Sequence, residues 1–307
     1  MASNNHSGRT LPLQKRSPAE KAIFTTLLYS DIFSFPLTEE ELWIWLISDT
    51  KVSQKDFKKG LRSMAGQFTL QNGYYCLSGR EATITHRKKQ LSTVAKKIAL
   101  ARHVAKKLAH IPSILFIGIS GGVAVGNAKE DDDVDFFIIT QKETLFVTRL
   151  MILIILALMG LRRSRMQKKA TDRICVNLLL DETALSWPRE KRDVYTAREI
   201  AQLYPLYEQG DSYNRFLLSN QWIMRFVPNC RTNPRQAIVH EKDTKTVSFL
   251  KMFERFCRFI QISYMKNHRT TEIVTNHFLA FHPNDYRIKI LAKLRQKKDT
   301  CDLLTKV

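Results

Sequence analysis

The spacing of apolar and polar positions changes character several times along the chain, and each change marks an element. Between residues 17 and 65 three helix starts carry their own punctuation: Ser17-Pro18-Ala19-Glu20, Thr38-Glu39-Glu40-Glu41 and Ser53-Gln54-Lys55-Asp56. In each, a hydroxyl is placed to accept from a backbone N–H three residues on, with an acid at that third position. Directly after them, "FTLQNGYYCL" is a pair of β-prone runs around Asn72-Gly73, two residues that tolerate positive φ and so predict a hairpin. Three helices followed by a hairpin predict a winged-helix domain over residues 17–80. From 80 to 110 the apolar positions Leu91, Val94, Ile98, Ala101, Val104 and Leu108 recur at three- and four-residue steps. They predict a long connecting helix, which also carries Arg87, Lys88, Lys89, Lys96, Lys97, Lys106 and Lys107.

Beyond residue 110 the period shortens. "SILFIGIS" (113–120), "VDFFIIT" (134–140) and "RICVNLLLD" (173–181) read as strands. "LMILIILALMGL" (150–161) is uncharged for only twelve residues between Arg149 and Arg162. A bilayer span needs roughly 20, so a buried helix is expected and no membrane span. "TAREIAQLYPL" predicts a helix with Ile200, Leu203 and Leu206 on its apolar side. The run "TVSFLKMFERFCRFIQISYMK" has helical spacing, and the lysine-rich "RIKILAKLRQKKDT" follows it; both predict a helical C-terminal region over 231–307 that packs on the preceding domain and ends in a tail suited to anions. The fold class expected is α+β: a disordered basic tail over 1–16, the winged helix, the connecting helix over 81–110, a mixed β-sheet domain over 111–230 and the helical end.

Composition narrows the partners. The 307 residues hold 49 Lys+Arg against 29 Asp+Glu, a formal charge of +20 that favours nucleotides, nucleic acid or anionic surfaces. Five cysteines, widely spread and never in a CxxC pair, indicate neither a disulfide framework nor a zinc ribbon, and fit a reducing cytoplasm. The opening "MASNNHSGRTLPLQKRS" has no apolar core of a cleavable signal.

The densest chemistry lies in "GGVAVGNAKEDDDVDFFIIT", residues 121–140. On a strand Asp133 and Asp135 share a face, about 7 Å apart, and two carboxylates that close call for a cation. Mg²⁺, a hard ion that takes one or two carboxylates plus nucleotide phosphates, suits them; Gly121 and Gly122 would let backbone approach those phosphates without a Cβ. An EF-hand starting at Asp131 fails, with Phe136 where Gly is required and Lys142 where the bidentate Glu belongs. An acidic turn explains Asp131 and Asp132 but not the in-register pair.

At these residues the chain resembles the nucleotidyltransferase superfamily that includes the minimal nucleotidyltransferases, the aminoglycoside adenylyltransferases and the poly(A) polymerases. That pattern is a glycine followed by Gly or Ser, about ten residues, then Asp, an apolar residue, Asp and an apolar strand, met here by Gly121-Gly122, Asp133-Val134-Asp135 and "FFII". Gly122 stands where the family more often has Ser. "LLYSDIFSFPLTEEELW", "ISGGVAVGNAKEDDDVDFF", "ICVNLLLDETAL" and "LYPLYEQGDSYNRFLLSNQWIMRFVPN" also look like a group of bacterial proteins that join a winged helix to such a domain. The resemblance implies a nucleotidyltransferase-type sheet, Asp133 and Asp135 as catalytic metal ligands for Mg²⁺ or Mn²⁺, Ser120, Gly121 and Gly122 at the phosphates, and a nucleoside triphosphate substrate, with ATP the one expected. It supplies no acceptor.

The family's third carboxylate falls at Asn177, an amide that can ligate a metal but brings no charge and cannot act as base. Asp181 lies four residues further, roughly 13 Å along the strand, and replaces it only if the strand bends. Glu199 is another candidate base, with a plain surface Glu as the competing reading. "RRSRMQKKATDR" (162–173) either borders the cleft and guides a polyanion or is simply a basic loop. His86, His103 and His110 lack metal-ligand spacing and read as surface residues; the four tryptophans read as core. Two functions follow. One is a metal-dependent transferase whose activity depends on Asn177 sufficing. The other is a non-catalytic nucleic-acid-binding or regulatory protein that uses the helix carrying Lys55, Lys58, Lys59 and Arg62, against which a protein-docking role for the same helix remains open.

Overall fold

The structure is a computed structural model that describes residues 12–163, 171–230, 238–239, 244–266, 273–281 and 286–304. The first unit comprises α1 (Pro18–Ile32), β1 (Leu37–Thr38), α2 (Glu39–Ile44), α3 (Gln54–Ser63), β2 (Phe68–Gln71) and β3 (Tyr74–Leu77). All three helices begin where local chemistry dictates: Ser17 and Thr38 close full capping boxes with Glu20 and Glu41, and Ser53 accepts from the Asp56 N–H. Asn72 and Gly73 both take positive φ and turn β2 into β3, whose other side pairs with β1.

Next come α4 (Ala82–Leu108), β4 (Ile114–Ser120), α5 (Gly121–Val125), β5 (Val134–Thr140), α6 (Leu145–Leu158), β6 (Ile174–Asp181), α7 (Val194–Ala201), β7 (Tyr204–Glu208) and α8 (Ser212–Ser219). The remaining elements are β8 (Ile238–Val239), α9 (Thr244–Lys266), β9 (Ile273–Val274), β10 (Phe278–Ala280) and α10 (Tyr286–Leu304). Together the strands form a seven-stranded mixed sheet in the order β8-β7-β4-β5-β6-β10-β9, with β5 and β6 parallel and β4 antiparallel to β5.

Both faces of this sheet are covered, which is why its central strands are apolar almost throughout. Ile117, Ile119, Phe136 and Ile138 pack with Val104 of α4, Ile152 of α6 and Cys257 of α9. The alternate residues Phe116, Phe137 and Ile139 pack with Ala197 and Ile200 of α7 and Phe216 of α8. The period-two side-chain alternation of β5 therefore assigns Asp135, in step with Phe137, to the α7–α8 face.

Three expectations change. The C-terminal region is not only helical, since β10 pairs antiparallel with β6 and β9 with β10. Strands this short carry no readable period. The α6 helix is buried along one side only: Ile152 and Leu156 are inside, while Leu150, Ile154 and Leu158 are exposed. Among the described residues no helix is long and apolar enough to cross a membrane. Residues 1–11 of the expected tail lie outside the described residues, but Leu13 is buried and its N–H donates to Asp302 of α10 at 2.8 Å.

α10 also places Ile290 and Leu294 in the core of the first unit and pairs Lys297 with Asp31 at 2.6 Å. The two units meet directly. Asn229 bonds both the N–H and the carbonyl of Val52, and the buried Arg198 donates to the Trp45 carbonyl at 2.7 Å while stacking on Tyr29 and Trp45.

Candidate active site

The site forms where β4 ends and β5 and β6 begin. Antiparallel pairing sets Ser120 opposite Asp135, and parallel pairing sets Cys175 on the other side of Asp135. Asp133, Asp135 and Cys175 each offer a ligand atom within 4.8 Å of the others. Asp133 and Asp135 thus converge as their spacing predicts. Cys175, two residues before Asn177, was no candidate in the sequence; the clue was its position on the strand face assigned to the third carboxylate.

The charges are partly balanced. Arg163 is ion-paired with Asp133, so the basic stretch does border the aspartates at this residue; residues 164–170 lie outside the described residues. Burial, reinforced by the charge of Asp133, pushes the Asp135 carboxyl up to about 8. Burial also pushes the Cys175 thiol well above its ordinary range, so it stands as a neutral thiol. A carboxylate pair that must hold a proton near neutrality is a place where a divalent cation is stabilised. The donor set fits a hard ion on the two carboxylates, and the adjacent sulfur adds capacity for a borderline ion such as Zn²⁺.

The glycines lie in the one-turn helix α5 rather than in a simple turn. Gly121 adopts φ +67°, and a Cβ there would sit 3.0 Å from Asp135 Oδ2. At Gly122 a Cβ would lie 2.6 Å from the backbone oxygen of Asn127. This contact accounts for a glycine at residue 122: the loop closes there through the Asn127 N–H bond to its carbonyl, leaving no room for a side chain. Ser120 caps nothing in α5, and its hydroxyl reaches the Asp135 carbonyl only at 3.5 Å.

The acidic turn before β5 is held from behind. Lys97 of the connecting helix is buried, and its ammonium donates to the carbonyls of Glu130 at 3.0 Å and Asp132 at 2.6 Å. His86, His103 and His110 are exposed on or near α4, as expected.

Asn177 is buried where the pairing of β5 with β6 slips between Phe136 and Phe137, leaving it between the paired residues Val176 and Leu178. It lines a cavity with Ser120, Trp187, Tyr195, Glu199 and Arg287, about 900 Å³ including the space open to solvent. Glu199 is therefore no plain surface residue. It projects from α7 toward the cleft, its charge is felt at Asp135, and burial raises its own carboxyl to about 7. Asp181 belongs elsewhere: fully buried, it accepts from Thr183 and bonds His277 at 2.7 Å. Pairing with Thr140 places it at the opposite end of the strand, six residues or roughly 20 Å from Cys175.

Compared with protein-family models, curated proteins and solved structures, the chain finds no match.

Proposed function

We propose that this protein is a nucleotidyltransferase that moves a nucleoside monophosphate from a triphosphate, ATP first, to a hydroxyl acceptor. The observation that carries the reading is the convergence of Asp133 and Asp135 at one strand end, against Gly121 with positive φ and Gly122 with no room for a Cβ, and beside a cavity containing Glu199. Asp133 and Asp135 would hold Mg²⁺ or Mn²⁺, which when bound supplies the positive charge that neutralises the triphosphate. The backbone at Gly121 and Gly122, with Ser120, would lie along the phosphates, and Arg163 would turn from Asp133 to a phosphate oxygen.

The acceptor would occupy the cavity. Its hydroxyl oxygen forms a bond to the α-phosphorus, the α–β anhydride bond breaks, pyrophosphate leaves with that electron pair, and the hydroxyl proton passes to the carboxylate of Glu199. A carboxyl raised to about 7 is well matched to that role near neutral pH. Glu199 then supplies the base that Asn177 cannot, while the Asn177 amide remains able to orient substrate.

Calorimetric titration of triphosphates with Mg²⁺ present, followed by a screen of labelled triphosphates against hydroxyl acceptors, tests the reading. Asp133→Ala and Asp135→Ala should each abolish metal-dependent nucleotide binding. Glu199→Gln should keep binding and lose transfer. Undiminished nucleotide binding by the Asp133→Ala, Asp135→Ala double variant overturns it.

A second reading draws on the first unit. Its three helices and β1-β3-β2 sheet follow the order of a winged helix, and Lys55, Lys58, Lys59 and Arg62 are all exposed on α3 while Phe57 and Leu61 face inward. A nucleic-acid or regulatory role on that surface predicts duplex binding that weakens steeply with salt and falls in a Lys58→Glu, Arg62→Glu variant. An electrophoretic shift indifferent to both changes removes it.

A further inference from the structure

We infer that α9 docks the protein peripherally on an anionic lipid surface, its aromatic side entering the headgroup–acyl boundary and its basic flank meeting the phosphates. Seven large apolar side chains on this helix, Phe249, Met252, Phe253, Phe256, Phe259, Ile260 and Tyr264, are between 42% and 73% exposed. At 3.6 residues per turn they fall on one continuous face. The adjoining face is already committed to the protein core: Cys257 and Met265 are buried, Glu254 accepts from the backbone N–H groups of Phe146 and Val147, and Gln261 donates to the Phe146 carbonyl at 2.7 Å. The outward stripe thus continues past the packed face, from Tyr264 round to Phe259, as additional apolar surface.

Charge selects the occupant. Lys251, Arg255 and Arg258 lie together along one border of the stripe, and the helix has a single acid, Glu254, which points inward. Among the described residues, Lys251 on this border is paired with Glu143 at 3.9 Å. Four exposed or largely exposed phenylalanines beside a cationic flank, on a chain of net charge +20, match an interfacial helix rather than a span. The exposed stripe covers 16 residues, roughly 24 Å of helix, enough for one side to lie in the interface plane. On α6, against which α9 packs, Leu150, Ile154 and Leu158 are exposed as well. The inference rests on α9 alone and is independent of any transferase activity.

The test is co-sedimentation of the full chain with vesicles of phosphatidylcholine alone and of phosphatidylcholine with 30% phosphatidylserine. Binding should require the anionic lipid, and Phe256→Ser with Phe259→Ser should weaken it at least ten-fold although no charge is lost. Lys251→Gln with Arg255→Gln should weaken it by about five-fold per cation removed. Both phenylalanines are more than 60% exposed, so the variant's melting temperature should match that of the parent. Three results would each overturn the inference: no binding to anionic vesicles at low salt, equal binding by the phenylalanine variant, or a dimer in solution that only the phenylalanine variant dissociates, which would assign the face to a second copy of the chain.

Discussion

Cys175 stands directly opposite Asp135 in the parallel register of β5 and β6, with its sulfur within 4.8 Å of both aspartate carboxylates. A neutral thiol is a poor partner for Mg²⁺, whereas Zn²⁺ or Cd²⁺ can displace its proton. Cys175→Ser should therefore leave Mg²⁺ affinity within about two-fold and lower Zn²⁺ affinity at least ten-fold. Calorimetric titrations with the two ions check this; equal losses for both would mean that the thiol sets the geometry of the carboxylates.

Metal binding should be linked to protons. With Asp135 raised to about 8, a bound ion must displace a proton below that pH, so Mg²⁺ affinity should rise with pH by up to ten-fold per unit until about pH 8 and then level off. The same shift sets metal-free stability. A carboxyl whose folded pKa lies above its unfolded one stabilises the fold fully below pH 4 and loses that contribution as pH climbs through 8. Asp135→Asn should flatten the fall in melting temperature between pH 6 and 8.5, and Mg²⁺ should raise the melting temperature of the parent more at pH 8 than at pH 6.

Replacing Lys97 with Met should disturb the site from behind. The change leaves the carbonyls of Glu130 and Asp132 without their buried donor, at a cost of about 1–3 kcal/mol for each. Because these carbonyls lie in the turn that delivers Asp133, metal affinity should fall together with the melting temperature. Lost stability with unchanged affinity would limit Lys97 to packing.

Gly122→Ser, which restores the residue more usual in the resembled family, should be harmful here. Its Cβ meets backbone at 2.6 Å, so the loop must shift, at a cost of about 1–3 kcal/mol measurable by chemical denaturation. A neutral result would show that the Asn127 loop moves freely.

Much of the local architecture was legible in the sequence because its causes are local. Capping boxes at Ser17 and Thr38 need only three following residues, the Asn72-Gly73 hairpin needs two positive φ angles, and the alternation around Asp133 and Asp135 fixes their shared face wherever the strand goes. What no local pattern contains is partnership. Cys175 reaches Asp135 only because β6 returns parallel after the α6 crossover, and Glu199 reaches the same cleft because α7 covers the sheet face that Asp135 shares. In the sequence Lys97 is one of several cations on the connecting helix, and only the fold brings it two carbonyls from a loop more than thirty residues away. The three-residue β10 became a strand because β6 had an open edge to pair with. Sequence fixes what a segment prefers when its neighbours in the chain supply the hydrogen bonds; the fold decides which distant groups share one desolvated space, and it is there that charges acquire partners and carboxyls shift their pKa.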